Sequence, residues 1–450
     1  MLTYVFIRGT LFMSEITSVN LNNRIQAMDV MRGVAVLGIL LMNIPGFATH
    51  AFFLFWSDAL RGETTTNGIV FQTSVILFDG KMRGLFTLLF GAGLMLFIEN
   101  KNDNSLRVAD LYFKRMTWMI LFGLVDAYIL LWGGDVLYEY AMCGIFAFAF
   151  RTMKPRNLLL MSLLILSVTI YVSGSPFLDR KETYLEYKAA EKLLKENKAL
   201  SEEQQTAYDG FKETLGTFLP FSKNHIHNVT EDIYKREIKM KSDYPTIFSQ
   251  NAEEIMPYHT QNFFMEMWES FATILLGMAL FKFGFFQGRI HVNVYRGLVF
   301  IGIPIGIILC GMSVLNMVYT QSELIQALET RIFSINHIGG VGRIVLTVSY
   351  ASAILLLCRV NWLKSFLTLF ANVGRMALTN YIMQTILCSL YFFGFGLNHY
   401  GEYDAKGLLL FVVCIWIIQI TYSTIYLRFF KMGPLEWLWK RLTYGKDFKI

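Results

Sequence analysis

Ten apolar stretches, separated by loops whose positive charge rises and falls in alternation, constrain this chain more than any other feature. A helix needs about 20 predominantly apolar residues to cross a bilayer. Stretches near 33–49, 69–98, 112–132, 137–150, 157–174, 263–285, 297–319, 341–358, 366–394 and 407–430 approach that requirement. With the N-terminus and Arg24 in the cytoplasm, the loops on that side hold Lys101, Arg107, Lys114 and Arg115, then Arg151, Lys154 and Arg156. Further along they hold Lys282, Arg289 and Arg296, then Arg359 and Lys364. The short loops on the other side hold only Arg61, Arg331, Arg343 and Lys406. Cytoplasmic loops collect Lys and Arg, so the alternation predicts ten spans with both termini inside.

Composition agrees. Of 450 residues, 54% are hydrophobic and 16% charged, where a soluble chain carries about 25% charge. The net charge of +6 is the positive-inside bias; no basic tract of the kind that binds phosphate backbones is present, which excludes nucleic acid as a partner. Cys143, Cys310, Cys358, Cys388 and Cys414 all fall in apolar segments without a Cys-x-x-Cys pair. They read as buried free thiols. The expected fold is all-α, a polytopic membrane helix bundle of about ten transmembrane helices with a small helical extracytoplasmic domain.

Five segments follow. Residues 1–23 read as a poorly ordered N-terminal extension, with Met13 as an alternative start. Residues 24–174 and 263–430 form two membrane bundles of about five spans each. Residues 175–262 are a polar helical insertion, in which Ser201 and Gln204 form a capping-box pattern. Residues 431–450 are a cytoplasmic tail. His225 and His227 in the insertion read as an exposed pair, and no metal site is expected.

Polar residues inside the apolar stretches are the candidate functional groups, because such groups are costly in lipid. In "AMDVMRGVAVLGILLMNIPGFATH", Arg32 and Asn43 are about three helical turns apart and share a face, with Asp29 one turn before Arg32. Pro45 and Gly46 bend or end that helix. The stripe is either an interfacial ion pair with a helix–helix hydrogen bond, or part of a site. In "ILFDGKMRGLFTLLFGAGLMLF", a continuous helix over 69–98 would be about 45 Å long, so a break is expected at "DGKMRG". Lys81 and Arg83 there hold an anion or form a charged turn. Asp135 and Glu139 stand four residues apart and crowd one another's charge. Asn372, Arg375 and Thr379 share a face of the span that also carries Asn380 and Gln384. Arg375 is expected to meet a carboxylate: Glu266, Glu269 or Asp126.

The stretches "MDVMRGVAVLGILLMN", "KMRGLFTLLFGAGL", "GDVLYEYAMCGI", "VGRMALTNYIMQT" and "MGPLEWLWKRLTYG" together resemble the YeiB-like family of bacterial membrane proteins, a family of unknown function for which transport has been suggested. The first of them is also similar, more distantly, to the opening of the transmembrane acyltransferase superfamily, which includes relatives of heparan-alpha-glucosaminide N-acetyltransferase. That resemblance implies transfer of an acyl group from cytoplasmic acyl-CoA to an acceptor across the membrane, with His50 standing near the position of a functional histidine. The chain departs from the acetyltransferase pattern after His50, where Trp56 follows six residues later instead of three. It carries Asp126 where YeiB-like proteins often have a histidine before the "GD" turn.

The expected function is therefore acyl transfer from acyl-CoA to an envelope lipid or sugar at the bacterial inner membrane, with no permanently bound cofactor. His50, Asp29 or Asp135 would be the base. Arg32, with Lys114 and Arg115, would receive the CoA phosphates; Asn43, Lys81, Arg83, Arg375, Asn380 and Gln384 would complete substrate binding. A transporter or flippase of an amphipathic anion and a non-catalytic envelope scaffold are the alternatives. Membrane lipids and a small or lipid-linked substrate are the expected partners, with a homodimer left open.

Overall fold

Every stretch expected to span the membrane is mainly helical over its described residues. The computed structural model describes residues 26–49, 66–99, 106–217, 223–316 and 321–445, and contains no strand among them. Helix α1 is Gln26–Ala48, and α2 (Thr66–Phe78) and α3 (Lys81–Glu99) make the long second segment. Next come α4 (Leu106–Leu124), extended by a wider turn over Val125–Ile129, and α5 (Leu137–Ala147). Helices α6 (Pro155–Lys195), α7 (Glu202–Thr217), α8 (Lys223–Met240) and α9 (Tyr244–Pro257) carry the insertion. The second half holds α10 (Phe263–Lys282), α11 (Val292–Leu315), α12 (Gln321–Thr330) and α13 (Ile335–Leu357). It ends with α14 (Lys364–Arg375), α15 (Ala377–Phe392), α16 (Ala405–Phe429) and α17 (Pro434–Tyr444). Six helical segments among the described residues are long and apolar enough to cross a membrane by themselves: α1, α2 with α3, α6, α11, α13 and α16. The protein is an all-α membrane helix bundle.

Two spans are broken. The first break, at Asp79–Gly80, falls where the excess length of 69–98 required one. Gly80 has φ +72°, a left-handed conformation that glycine adopts without strain. Lys81 is buried beside it and donates to Val75 O at 2.9 Å. It thereby adds a second donor to a carbonyl of the last turn of α2, which also accepts from Asp79 N at 3.3 Å. The second break, at Met376, corrects the sequence reading. Asn372 and Arg375 lie on α14 and Thr379 on α15, so no continuous helical face joins them. Helix α1 runs one turn past Pro45 and ends at Ala48.

Glycines set the closest helix crossings. A Cβ on Gly33 would sit 1.9 Å from Phe370 O, and one on Gly374 1.9 Å from Asp29 O. Helices α1 and α14 therefore touch backbone to backbone from both sides. The same reciprocity joins α3 and α10: a Cβ on Gly91 would lie 2.0 Å from Ile274 O, and one on Gly277 2.1 Å from Leu88 O. Small residues permit this approach, and in lipid it is van der Waals packing that holds helices together. These two crossings fix α1, α3, α10 and α14, around which the main core gathers Met31, Leu85, Leu88, Ala92, Ile274 and Ala371.

Helix α6 is continuous for 41 residues, about 60 Å. It leaves the bundle as a strut on which the insertion is built. Tyr184 and Tyr187 of α6 pack on Phe211 of α7, with ring centroids 5.4 and 5.1 Å apart, and Leu324 and Leu328 of α12 complete that cluster. The capping box forms as its spacing predicts: Gln204 N–H donates to Ser201 Oγ at 3.2 Å, and Ser201 N–H to Gln204 Oε1 at 3.0 Å. Helix α9 docks the insertion back on the bundle, where Tyr244 donates to Ile129 O at 2.8 Å. Cys143, Cys310 and Cys388 are buried free thiols, and Cys358 is half-buried. Cys414 is exposed instead, because α16 turns that face away from the bundle.

Candidate functional site

A stripe on α3 lines the main cavity. Phe86, Phe90, Gly93 and Phe97 recur at three- and four-residue spacing and so share one helical face. Leu89 and Leu94 flank them, Met116 and Met119 come from α4, Leu137 from α5, and Leu378 and Tyr381 from α15. Together they enclose a mostly apolar shaft of about 380 Å³. From Phe86 to Phe97 the helix rises about 16 Å.

The mouth of this shaft is cationic. Arg32, Arg115, Arg375, Lys431 and Lys440 surround it, with Glu436 as the acidic member. Each arginine is held. Asp29, buried in α1, pairs with Arg32 at 3.0 Å. Arg115 lies 4.2 Å above the Trp439 ring and 5.4 Å from that of Phe97, a cation–π arrangement. Trp439 in turn donates to Arg115 O at 2.9 Å. Arg375 Nη2 donates to Lys431 O at 3.0 Å.

The break at Met376 explains how α17 comes to sit at this mouth. A helix start leaves its first N–H groups without intrahelical partners. Glu436 supplies them: its Oε1 accepts from Leu378 N at 2.7 Å and Thr379 N at 3.1 Å, and its Oε2 accepts from Thr379 Oγ1 at 2.6 Å. A carboxylate at a helix N-terminus is also favoured by the helix dipole. Replacing Glu436 by alanine removes three hydrogen bonds to a charged acceptor, each of the class that contributes about 1.5–3 kcal/mol. Glu436→Ala is expected to lower stability by about 3 kcal/mol and to detach α17 from the mouth. Thermal unfolding in detergent, with Trp439 fluorescence as the local reporter, checks it.

At the floor stands a tyrosine–carboxylate group. Tyr381 OH accepts from Val136 N at 3.3 Å and approaches Asp135 Oδ1 at 3.4 Å. Asp135 Oδ2 accepts from Tyr138 N at 2.9 Å, so the same side chain caps the start of α5. Asp126 lies beside Asp135 and is wholly buried, and neither of its oxygens has a well-formed hydrogen bond among the described residues. Tyr381 is the only one of these three that lines the shaft.

The expected site residues divide accordingly. Arg32 and Arg375 reach the cavity, and Arg115 does too; Lys114 turns outward and pairs with Asp110 at 2.8 Å. Asp29 is engaged by Arg32 and lies beneath the mouth. Asp135 reaches the floor through Tyr381, and it faces Asp126 instead of Glu139. Asn43 is half-buried and away from the cavity. Asn380 and Gln384 are corrections: both are buried in a seam between α1, α15 and α16. Asn380 donates to Val373 O at 3.1 Å and Ser423 Oγ at 2.9 Å, and Gln384 to Val36 O at 3.1 Å and Gln419 Oε1 at 3.0 Å. Their amides hold helices together and face no open space. Arg375 donates to the Lys431 carbonyl, and of its expected carboxylate partners Glu269 pairs with Arg343 at 3.4 Å. Lys81 is occupied by Val75 O, and Arg83 stands outside this cavity. His50 and the side chains of Glu266, His225 and His227 lie outside the described residues.

Sequence reasoning missed Tyr381, Glu436, Trp439 and Lys440. A signal for them was present: each of the five stretches that carry the family resemblance contributes at least one residue to this cavity wall, from Arg32 in the first to Met432, Glu436, Trp439 and Lys440 in the last.

Comparison with known proteins extends over nearly the whole chain. Residues 280–446 match the model of a family described as a protein of unknown function, DUF418. The uncharacterized protein YxaH of Bacillus subtilis is 29% identical over 448 residues, 96% of this chain and 97% of that protein. The uncharacterized protein YeiB of Escherichia coli is 28% identical over 420 residues, covering 92% and 95% of the two chains. An uncharacterized 39.9 kDa protein of Bacillus acidopullulyticus is 25% identical, covering 96% of each. No solved structure matches the chain.

Proposed function

Since the chain belongs to the YeiB-like family of membrane proteins of unknown function, we propose its activity from the cavity itself: it binds an amphipathic anion, head at the cationic mouth and tail in the shaft, and transfers an acyl group from it. The observation that carries this reading is the pairing of five cationic side chains with a narrow apolar shaft. Phosphate oxygens suit the arginine forks at the mouth. A thin pantetheine-like arm with its acyl thioester suits the apolar walls. The mouth lies on the side of the Lys- and Arg-rich loops, which supports a cytoplasmic entry, cytoplasmic termini and residence in the bacterial cytoplasmic membrane.

The chemistry this reading requires is simple. An acceptor hydroxyl or amine attacks the thioester carbonyl at the floor, the new C–O or C–N bond forms, and the C–S bond breaks. The acceptor proton passes through the Tyr381 hydroxyl to Asp135, and the departing thiolate is protonated on release as free CoA. Asp135 is preferred to Asp29 as the base, because a hydroxyl, that of Tyr381, connects it to the cavity floor.

Filling the shaft tests the reading. Gly93→Leu is expected to weaken palmitoyl-CoA binding at least tenfold in nanodiscs while leaving the fold intact, since Gly93 lines the cavity and a Cβ there meets only Arg32 Nη2, at 3.7 Å. Equal affinity of variant and wild type would overturn it. Transport of an amphipathic anion is the second reading. It is favoured by a specific feature: Tyr140 of α5 packs on Phe86 and Phe90 at the inner end of the cavity, with the arginines of the mouth on one side and Arg83 on the other. Transfer of radiolabelled acyl groups by purified protein supports the first reading; ligand flux into proteoliposomes without cleavage supports the second.

A further inference from the structure

Above the floor of the shaft, the α3 stripe continues to Arg83, one turn and about 4.5 Å of helix rise beyond Phe86. Tyr140 closes the space between them. It is fully buried, its ring centroid lies 6.0 Å from both Phe86 and Phe90, and its hydroxyl joins Thr87 Oγ1 at 2.8 Å and Arg83 O at 3.2 Å. The main cavity therefore ends at a septum about one aromatic ring thick.

Beyond that septum the character of the space changes. Arg83 is exposed, although it sits in an apolar membrane helix among the buried residues Lys81, Met82, Leu85 and Thr87. Its guanidinium makes no hydrogen bond or ion pair to another described residue, while Glu139, Glu269 and Asp79 act on it electrostatically. Arg343 and Glu269 face the same region, 34% and 37% exposed, in a single contact of 3.4 Å. Arg343 Nε is buried without a partner. Charged side chains that retain access to water at this depth line a wet chamber and not a lipid-facing surface. Arg83 is in the first turn of α3, Glu269 in the second turn of α10 and Arg343 in the third turn of α13. Glu269 and Arg343 lie toward the helix ends that adjoin the insertion and a lightly charged loop, and Arg83 lies just past the break at Asp79–Gly80, within the electrostatic reach of Glu269, away from the mouth formed by Arg32, Arg375 and Lys440.

We infer that this chamber is a second binding site, for a phosphate- or carboxylate-bearing ligand, opening on the membrane face opposite the mouth of the shaft. The free donors of Arg83 and the unused Nε of Arg343 are the recognition groups. Both are forked donors that match a planar carboxylate or a phosphate. Glu139 and Glu269 balance the cations, and the half-exposed Glu269 offers an acceptor to hydroxyl or amino groups on the same ligand. In the acyl-transfer reading, on which only this last assignment rests, the ligand is the acceptor. It stands one ring away from the thioester end of the shaft.

Sidedness and binding are tested separately. In sealed vesicles of uniform orientation, membrane-impermeant maleimide is expected to label Arg83→Cys and Arg343→Cys from the face opposite to the one that labels Lys440→Cys. Labelling from the same face overturns the inference, as does labelling of neither chamber variant until the protein is denatured. Binding is read from thermal unfolding of the whole protein in phosphatidylcholine nanodiscs, because a ligand of the native state raises the transition in proportion to ln(1 + [L]/Kd). Three probes are compared: inorganic phosphate, acetate and dihexanoyl phosphatidylglycerol. A shift with any of them that weakens at least tenfold in Arg83→Gln, but persists in Gly93→Leu, supports the site. The responding probe tells a free phosphate or carboxylate from a lipid headgroup. No shift in any arm, an equal shift in Arg83→Gln, or loss of the shift in Gly93→Leu overturns it. Failure of acyl transfer alone would leave both readouts unchanged.

Discussion

Asp135→Asn is expected to lower acyl transfer by about a hundred-fold or more while leaving the affinity for the CoA ester within about twofold. General acid–base groups contribute about 10²–10⁴ in rate, and Asp135 contacts the shaft only through Tyr381. Asparagine keeps the hydrogen bond from Tyr138 N that caps α5, so the change removes proton acceptance with little change of shape. Tyr381→Phe should produce the same loss, since it removes the hydroxyl that links base and cavity. A double variant should then be no worse than either single one, because groups acting as one unit are not additive. Single-turnover transfer from radiolabelled acyl-CoA, measured beside equilibrium binding, separates the two quantities. A fall in affinity that matches the fall in rate would assign Asp135 a structural part only.

The largest effect on stability is expected at the backbone crossings. Gly277→Leu places a side chain where a Cβ alone would stand 2.1 Å from Leu88 O, and Gly374→Val does so 1.9 Å from Asp29 O. Overpacking a core ordinarily costs about 1–3 kcal/mol because side chains yield. Here the obstacle is main chain within a helix, so the helices themselves must separate. A loss of more than about 3 kcal/mol and failure to purify as a monodisperse species are expected. Gly311 supplies the control. A Cβ there meets nothing within 4 Å, so Gly311→Ala should be neutral or slightly stabilising, alanine being the better helix former. Size-exclusion chromatography with thermal unfolding decides between these outcomes. A well-behaved Gly277→Leu protein would show that the crossing at α3 and α10 is looser than its geometry.

What the sequence revealed and what it concealed have physical reasons. Segment length exposed the break before Lys81, because an apolar run too long for one crossing must be interrupted. The run 366–394 is nearly as long, about 43 Å as one helix, but no Asp-Gly turn marks where it breaks, and the residue that compensates the break at Met376, Glu436, is 57 positions from Thr379 in sequence. Helical spacing placed Asp29 and Arg32 together correctly, since their contact is local. It misjudged Asn380 and Gln384, because periodicity tells which face a residue occupies but not whether that face meets a cavity or another helix. Asp135 was singled out for crowding with Glu139; its true neighbour, Asp126, comes from the preceding helix across the turn. The family resemblance named no chemistry, yet its five stretches turned out to be the walls of one space.

The cap that Glu436 places over α15 has a consequence for how the protein is made. One side chain completes a helix start that was synthesised 57 residues earlier. Until Glu436 has been made, the amide groups at Leu378 and Thr379 have no carboxylate to receive them, and the mouth lacks Trp439 and Lys440. A nascent chain that has reached Phe429 therefore holds every long apolar span of the described residues but no finished pocket wall. A product terminated before Glu436 is expected to keep this helix end unsealed.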